Sequence, residues 1–113
     1  TVGPHRGDVV VKSSGSRVSD ILSRGQLKLV VIALKLAQLS NLSSASQQIR
    51  PIILVDDLAA ELDIYHRAHL LDTLRSFTSQ LFITTPDLSL IDYKGWNERK
   101  VFHVEHGNVK EVV

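Results

Sequence analysis

The chain has 113 residues, no cysteine and a formal net charge of +1, with 43% hydrophobic and 22% charged residues. This composition is typical of one small globular domain with a modest core. It excludes disulfide frameworks, thiolate metal sites and a uniformly basic nucleic-acid binder. Because Lys28, Lys35 and Gln38 interrupt the apolar runs and no basic-then-apolar leader precedes them, we expect a cytoplasmic protein without a membrane partner.

The first half of the chain predicts a hairpin followed by a long helix. Asp8 to Lys12 is rich in valine and leads into Ser13 to Ser16, a turn-forming stretch of serine and glycine. From Ser23 to about Leu42, apolar residues leave only a narrow polar stripe at helical spacing. We expect this helix to be buried on most sides and the polar stretch from Ser40 to Gln48 to form a loop.

The second half predicts two buried strands, an intervening helix and a terminal hairpin. A continuous apolar run, Ile52 to Val55, is typical of a central parallel strand, and Leu81 to Thr84 has the same character. Asp63 occupies the position of a helix N-cap. The apolar face predicted for the helix that follows consists of Ile64, Ala68, Leu71, Leu74 and Phe77. The last predicted element is a hairpin of Val101 to Glu105 and Val109 to Val113 around His106-Gly107-Asn108. Strands that alternate with helices favour an α/β layer with parallel neighbours.

The first candidate motif is Leu22-Ser23-Arg24-Gly25-Gln26, at the predicted start of the long helix. A helix N-terminus presents backbone N–H groups and a positive dipole end, Ser23 adds a hydroxyl, and Gly25 lets an anion approach the backbone. The motif therefore predicts a phosphate cradle. The simpler alternative is that Ser23 is only an N-cap.

The second candidate motif is Ile52 to Asp57, an apolar strand that ends in two adjacent carboxylates. Ligands of open α/β sheets bind at the carboxyl ends of the strands. There, one carboxylate can hold Mg²⁺ through its water shell while the other polarises an attacking water. The alternative is a pair of solvated loop acids.

In order and spacing, these two motifs resemble the signature and Walker B motifs of ABC-type ATPases. Glu61-Leu62-Asp63 resembles the D-loop of that family, and Phe82 to Thr85 resembles the strand before the switch region. The arginine in the signature and the Asp-Asp pair point to the RecF family. Gly3 to Arg6 and the terminal Val101 to Glu105 before Gly107-Asn108 resemble that family as well.

The resemblance covers nearly the whole chain and implies that residues 1–113 form the C-terminal part of a P-loop ABC-type ATPase head, with parallel strands, packed helices and a terminal β-hairpin. It implies that Ser23, Arg24, Gly25 and Gln26 contact ATP held by a second protomer, and that Asp56 is the Mg²⁺-linked acid. It places Asp57 at the position of the usual catalytic glutamate and Asp63 at the dimer seam. The implied partners are gapped or junction DNA, RecO, RecR and a second copy in an ATP-dependent homodimer that helps to load a recombinase.

Two departures from the wider ABC pattern affect the expected activity. Pro86 follows Thr85 where transporter-type ATPases have a histidine, and Asp57 is one methylene shorter than glutamate. We therefore expect slow or regulated hydrolysis. No Gly-x-x-x-x-Gly-Lys-Ser/Thr run occurs in the 113 residues, so we expect this chain alone neither to bind ATP tightly nor to hydrolyse it.

Other functions remain open at this point. The chain can belong to a transporter ATPase, although the missing histidine and the Asp-Asp pair argue against that, or it can be a non-catalytic interaction module with structural carboxylates. His66-x-x-His69 and His103-x-x-His106 have a spacing that zinc can use, but the chain has no cysteine and no nearby carboxylate triad to complete such a site. His5 with Arg6, or Lys94 with Trp96 and Arg99, can contact DNA, but a solvated face is the simpler interpretation. The structure can be compared with each of these hypotheses.

Overall fold

A computed structural model describes residues 7–45, 48, 50–58, 60 and 62–113. The chain forms two compact units, an N-terminal one that ends before Arg50 and a C-terminal one from Arg50 to Val113. The structure is mixed α/β, and its described strands form three small two-stranded sheets. Gly3 to Arg6 and the residues Ala59 and Glu61 of the predicted motifs lie outside the described residues.

The N-terminal unit contains a hairpin at the predicted place, but its strands are shorter than predicted and include Ser13 and Ser16 of the predicted turn, while Asp8 to Val11 form no strand. Strands β1 (Lys12–Ser13) and β2 (Ser16–Arg17) pair antiparallel around Ser14 and Gly15, whose φ angles are 51° and 84°. Positive φ at both central residues is the requirement of a type I′ turn, which matches the twist of paired strands. A short helix that the sequence analysis did not predict, α1 (Val18–Ile21), follows at once.

The long helix α2 (Arg24–Ala45) confirms the predicted helix but differs from the prediction in two respects. It continues to Ala45, into the stretch from Ser40 to Gln48 that was predicted to be a loop, because an established helix extends through residues of moderate propensity. It is not buried on most sides: no residue of Arg24–Ala45 is buried, and Val31 and Leu34 are 50% and 52% exposed. By length and composition the helix could also cross a membrane, a test that core helices of soluble proteins pass as well.

The C-terminal unit contains a small sheet and one amphipathic helix. Strands β3 (Ile53–Val55) and β4 (Leu81–Ile83) pair in parallel, with Ile53 opposite Leu81 and Val55 opposite Ile83. The connection between them contains α3 (Ile64–Arg75). The buried apolar side chains of the unit are Ile53, Leu58, Leu62, Leu70, Leu71, Leu74 and Ile91.

The apolar face predicted for α3 is only partly the buried one. Leu71 and Leu74 are buried as predicted, together with Leu70, whereas Ile64 is 78% exposed and Ala68 is exposed as well. Ile64 is the first residue of the helix, and among the described residues the core lies against the middle and the C-terminal end of α3. Each leucine of this kind contributes roughly 1.5–3 kcal/mol on burial, which stabilises the position of α3 in the C-terminal unit.

Arg75 makes several of the contacts that hold the segment after β4. Two 3₁₀ turns, Leu88–Leu90 and Tyr93–Gly95, occupy this segment. The guanidinium of Arg75 lies 4.5 Å from the centroid of the Trp96 ring and donates to the backbone carbonyl of Asp92 and to the Asp72 carboxylate. A Cβ at Gly95 would lie 2.4 Å from the Nε of Arg75, so a glycine is what lets this guanidinium pack.

The chain ends in the predicted hairpin. Strands β5 (Phe102–Glu105) and β6 (Asn108–Glu111) pair antiparallel around His106 and Gly107, both with positive φ, again as a type I′ turn requires. Phe102, Val104 and Val109 share one face, since residues opposite each other in register point to the same side. All three are at least half exposed.

Candidate functional site

The two carboxylates of the second motif lie where the parallel strands end. Val55 and Ile83 are register partners at the last position of β3 and β4, so Asp56-Asp57 and Thr84-Thr85 emerge at the same edge of the sheet. This is the edge at which parallel α/β sheets bind ligands. Both aspartates are exposed, and their carboxylates are accessible to a ligand from solvent.

Thr84 connects the two strand ends through its side chain. Its hydroxyl donates to Oδ1 of Asp56 over 2.6 Å and accepts the backbone N–H of Asp57 over 2.8 Å. The sequence analysis named Thr84 only as part of a strand. Its signal was the position directly after an apolar strand that runs parallel to the one before Asp56; this strand is not buried as predicted, since Phe82 is 51% exposed.

Asp57 has a φ of 50°, in the left-handed region. Non-glycine residues reach this region at a cost, although aspartate tolerates it better than most. Regular strand geometry would point the two carboxylates in opposite directions, but β3 ends at Val55, and Asp57 already belongs to a tight bend.

The acid pair fits Mg²⁺ in its donor chemistry. Mg²⁺ prefers oxygen ligands and is usually held by one or two carboxylates together with phosphates and water. Within the described part of the chain, Oδ2 of Asp56 has no hydrogen-bond partner, while Oδ1 is engaged by Thr84. One oxygen of Asp56 is thus fixed and the other is available to a metal-bound water.

The first motif forms a capping box at the start of α2. The hydroxyl of Ser23 accepts the backbone N–H of Gln26 over 3.2 Å, and the side-chain oxygen of Gln26 accepts the backbone N–H of Ser23 over 2.9 Å. These reciprocal bonds satisfy two backbone donors of the first helical turn. The N-cap interpretation of Ser23 is therefore realised here, and a phosphate contact would have to displace or share its bond to Gln26.

Asp63 is the N-cap of α3, as predicted. Its carboxylate accepts the backbone N–H of His66 over 2.8 Å, and the other oxygen lies 2.8 Å from the Nδ1 of the same histidine. The backbone bond from His66 and then its ring bond hold the pKa of Asp63 below its ordinary value. The signature residues lie in the N-terminal unit, whereas Asp56, Asp57 and Asp63 lie in the C-terminal one.

Several of the remaining candidate residues make contacts within the chain, while His5 and Arg6 lie outside the described residues. Arg99 donates to the backbone carbonyl of Trp96 over 2.6 Å and lies 5.5 Å from the centroid of the Tyr93 ring. Of the histidines considered for zinc, His103 lies 3.4 Å from Glu105 and His106 lies 3.7 Å from the same carboxylate. Among the described residues, no three histidine or acidic side chains are grouped so as to hold a metal ion.

Comparison with known proteins identifies the family. The chain is 41% identical over 109 residues to the DNA replication and repair protein RecF of Thioalkalivibrio sulfidiphilus, covering 96% of this chain and 30% of that protein. It is 42% identical over 112 residues to the protein of the same name from Pseudoalteromonas atlantica, covering 98% and 31%. The chain belongs to the RecF family. The protein of that name from Stutzerimonas stutzeri is 42% identical over 113 residues, with 97% and 30% covered.

The RecF resemblance stated from the motifs is confirmed by these relatives, and the chain corresponds to a C-terminal portion of a RecF protein. It spans about a third of the length of the relatives it matches. No family model and no solved structure matches the chain. The RecF relatives favour the RecF interpretation over the transporter alternative.

Proposed function

We propose that this chain supplies the signature and Walker B elements of an ATP site in a RecF protein that acts in DNA replication and repair. The observation that carries the proposal is the Asp56-Asp57 pair, held by Thr84 at the carboxyl edge of two parallel strands. The relatives named DNA replication and repair protein RecF give the biological context. The P-loop would come from the part of the RecF protein that this chain does not cover.

In this proposal the two aspartates have different roles. Asp56, with one oxygen held by Thr84, would bind a water of the Mg²⁺ shell through the other. Asp57 would accept the proton of the attacking water as the general base. Mg²⁺ supplies charge neutralisation of the β and γ phosphates when ATP is bound.

The signature would act on a second protomer. Residues Ser23, Arg24, Gly25 and Gln26 present the N-terminus of a 22-residue helix, and such an end attracts phosphate. ATP would thus join two copies, with Asp63 at their seam. Because the Ser23 hydroxyl caps α2 before ATP binds, engagement of the γ-phosphate would exchange one hydrogen bond for another.

Hydrolysis in the complete protein should be slow, for reasons that lie in the sequence. The shorter reach of Asp57 and the proline after Thr85 remove two features of fast ABC-type ATPases. We infer a DNA-stimulated, cytoplasmic ATPase that binds gapped or junction DNA together with RecO and RecR. Single-turnover hydrolysis by the full-length protein measures the rate, and a fast rate would count against this part of the proposal.

The full-length protein with Ser23→Arg or Asp56→Asn tests the proposal. We expect both substitutions to abolish ATP-dependent dimerisation and DNA-stimulated hydrolysis, because arginine blocks the phosphate approach and asparagine removes the charge that holds the metal. Light scattering and phosphate release measure the two activities. The 113-residue chain alone should show no saturable hydrolysis at low micromolar concentration.

Two matched variants control for charge and bulk. Ser43→Arg adds the same side chain near the other end of α2, and Glu98→Gln neutralises an exposed carboxylate outside the motifs. Both should retain wild-type dimerisation and hydrolysis. If the Ser23 and Asp56 variants also keep both activities, the ATP site is not built from these residues.

A specific observation favours a second candidate, the non-catalytic interaction module. Ser23 and Asp63 both act as helix caps in this structure, so structural roles account for two of the predicted site residues. Under this alternative, Ser23→Thr and Asp63→Asn, which keep a capping oxygen, would leave every activity of the full-length protein unchanged, and Asp56→Asn would do so as well.

A further inference from the structure

Thr84 makes four hydrogen bonds to four consecutive residues of the bend after β3. Its backbone N–H donates to the carbonyl of Val55 over 3.0 Å, and its carbonyl accepts the N–H of Leu58 over 3.2 Å. Between these, its hydroxyl contacts Asp56 and Asp57. The bend is thus held at each of its four residues by one threonine.

The hydroxyl of Thr84 is used as donor and acceptor at once. A hydroxyl has one proton to give and two lone pairs to receive. The proton goes to Oδ1 of Asp56, and a lone pair receives the N–H of Asp57. Valine has the same shape but a methyl group in place of the hydroxyl, so it can make neither bond. The hydroxyl oxygen of Thr84 therefore contacts both the carboxylate of Asp56 and the backbone of Asp57.

The left-handed backbone conformation of Asp57 depends on contacts such as the hydrogen bond to the Thr84 hydroxyl. Its φ of 50° is unfavourable for a residue with a Cβ, and such conformations persist where the surroundings determine them. On one side the bend is anchored by Leu58, which is 2% exposed. On the other side, Thr84 receives the N–H of Asp57 itself.

We propose that Thr84 is a positioning residue of the ATP site. This inference rests on the function proposed above. Its hydroxyl fixes Oδ1 of Asp56 and the backbone of Asp57, so that Oδ2 of Asp56 would be free to hold a metal-bound water and the Asp57 carboxylate would be oriented toward the attacking water. Residues that orient metal-linked carboxylates typically change metal affinity or activity by about 10–100-fold when they are substituted.

The test compares three variants of the full-length protein. Thr84→Val keeps the shape and removes the hydroxyl, whereas Thr84→Ser keeps the hydroxyl. Thr85→Val is the matched control, because the Thr85 hydroxyl bonds only to the backbone of Asp87 among the described residues. Melting temperatures establish that each variant is folded before the other measurements are compared.

Two readouts separate positioning from folding. Hydrogen–deuterium exchange without nucleotide reports on the Asp57 amide, and the Mg²⁺ concentration for half-maximal hydrolysis reports on the metal. We expect Thr84→Val to speed exchange across residues 56–58 by about tenfold or more and to raise the half-saturating Mg²⁺ concentration by about tenfold. Thr84→Ser and Thr85→Val should stay within about twofold of wild type on both readouts.

The outcomes distinguish this inference from the proposed function. Unchanged exchange in Thr84→Val overturns the inference, and so does faster exchange with an unchanged Mg²⁺ requirement, since Thr84 would then only stabilise the bend. Wild-type hydrolysis by Asp56→Asn overturns the proposed function itself, whatever Thr84→Val does. If Asp56→Asn loses hydrolysis and Thr84→Val behaves like wild type, the proposed function is retained and only the positioning role of Thr84 is rejected.

Discussion

The left-handed backbone of Asp57 has a measurable consequence for stability. A Cβ at a φ of 50° is unfavourable, whereas glycine adopts this conformation readily. We expect Asp57→Gly to be about 1 kcal/mol more stable than Asp57→Ala, because both variants lose the same carboxylate and differ only in the Cβ. Urea denaturation of the 113-residue chain, monitored by the fluorescence of Trp96 in the same unit, measures the difference as a shift of midpoint.

A matched pair at Asp72 controls for the general effect of glycine. Asp72 lies inside α3, where glycine is less favourable than alanine by roughly 1 kcal/mol. The order of stabilities should therefore reverse, with Asp72→Ala above Asp72→Gly. If alanine is the more stable residue at position 57 as well, Asp57 does not hold the left-handed conformation in solution.

At the level of the helix, the Asp63 cap makes the stability of the N-terminus of α3 sensitive to acid. The pKa of Asp63 is lowered in the folded chain by the backbone and ring bonds of His66. A group whose folded pKa is depressed contributes stability that is present above its unfolded pKa and is lost as the pH falls through the folded one. We expect the stability of the C-terminal unit to decrease in this way below about pH 4, as measured by urea denaturation at a series of pH values.

Asp63→Asn keeps an oxygen that can cap α3 but cannot titrate. This variant should match wild type closely near pH 7 and lose less stability than wild type between about pH 4 and pH 2. Glu98→Gln, which removes an exposed carboxylate that caps no helix, should keep the acid sensitivity of wild type. If the free energy of unfolding falls equally with decreasing pH in wild type and in Asp63→Asn, the titration of Asp63 is not the cause of the acid sensitivity.

The elements that local chemistry determines were predictable from the sequence. Both hairpins have a glycine at a turn position that needs positive φ, and Asp63 stands directly before a helical pattern. The pairing of β3 with β4 followed from two apolar runs separated by a helix. The second 3₁₀ turn after β4 was not predicted, because the guanidinium of Arg75 contacts it from a position distant in sequence. The first has a local signal that was missed, since the Asp87 carboxylate caps it by accepting the backbone N–H of Ser89.

The candidate site was predictable only in part. Adjacent carboxylates after an apolar strand identify Asp56 and Asp57, and the order of the motifs identifies the RecF resemblance. The bend at Asp57 and the bonds of Thr84 arise from the pairing of two strands 28 residues apart, which no local pattern encodes. The roles of these residues toward ATP stay predictions, since they depend on parts of a RecF protein beyond this chain.

For the molecule as a whole, the decisive question is what covers α2. The sequence predicted a helix buried on most sides, yet Leu34 is 52% exposed and no residue of Arg24–Ala45 is buried. RecF relatives are about three times as long as this chain. We therefore expect the rest of the RecF polypeptide to pack against α2.

Substitution of Leu34 by lysine measures this coverage in two settings. In the 113-residue chain, Leu34→Lys should change the free energy of unfolding by no more than about 0.5 kcal/mol, as exposed substitutions do. In the full-length protein it should destabilise by roughly 2–3 kcal/mol or more, because a charge would be placed in a packed interface. Ser43→Lys adds the same charge at an exposed position on the opposite side of α2 and should have a small effect in both. If Leu34→Lys is equally mild in the full-length protein, the remaining polypeptide does not cover this side of α2.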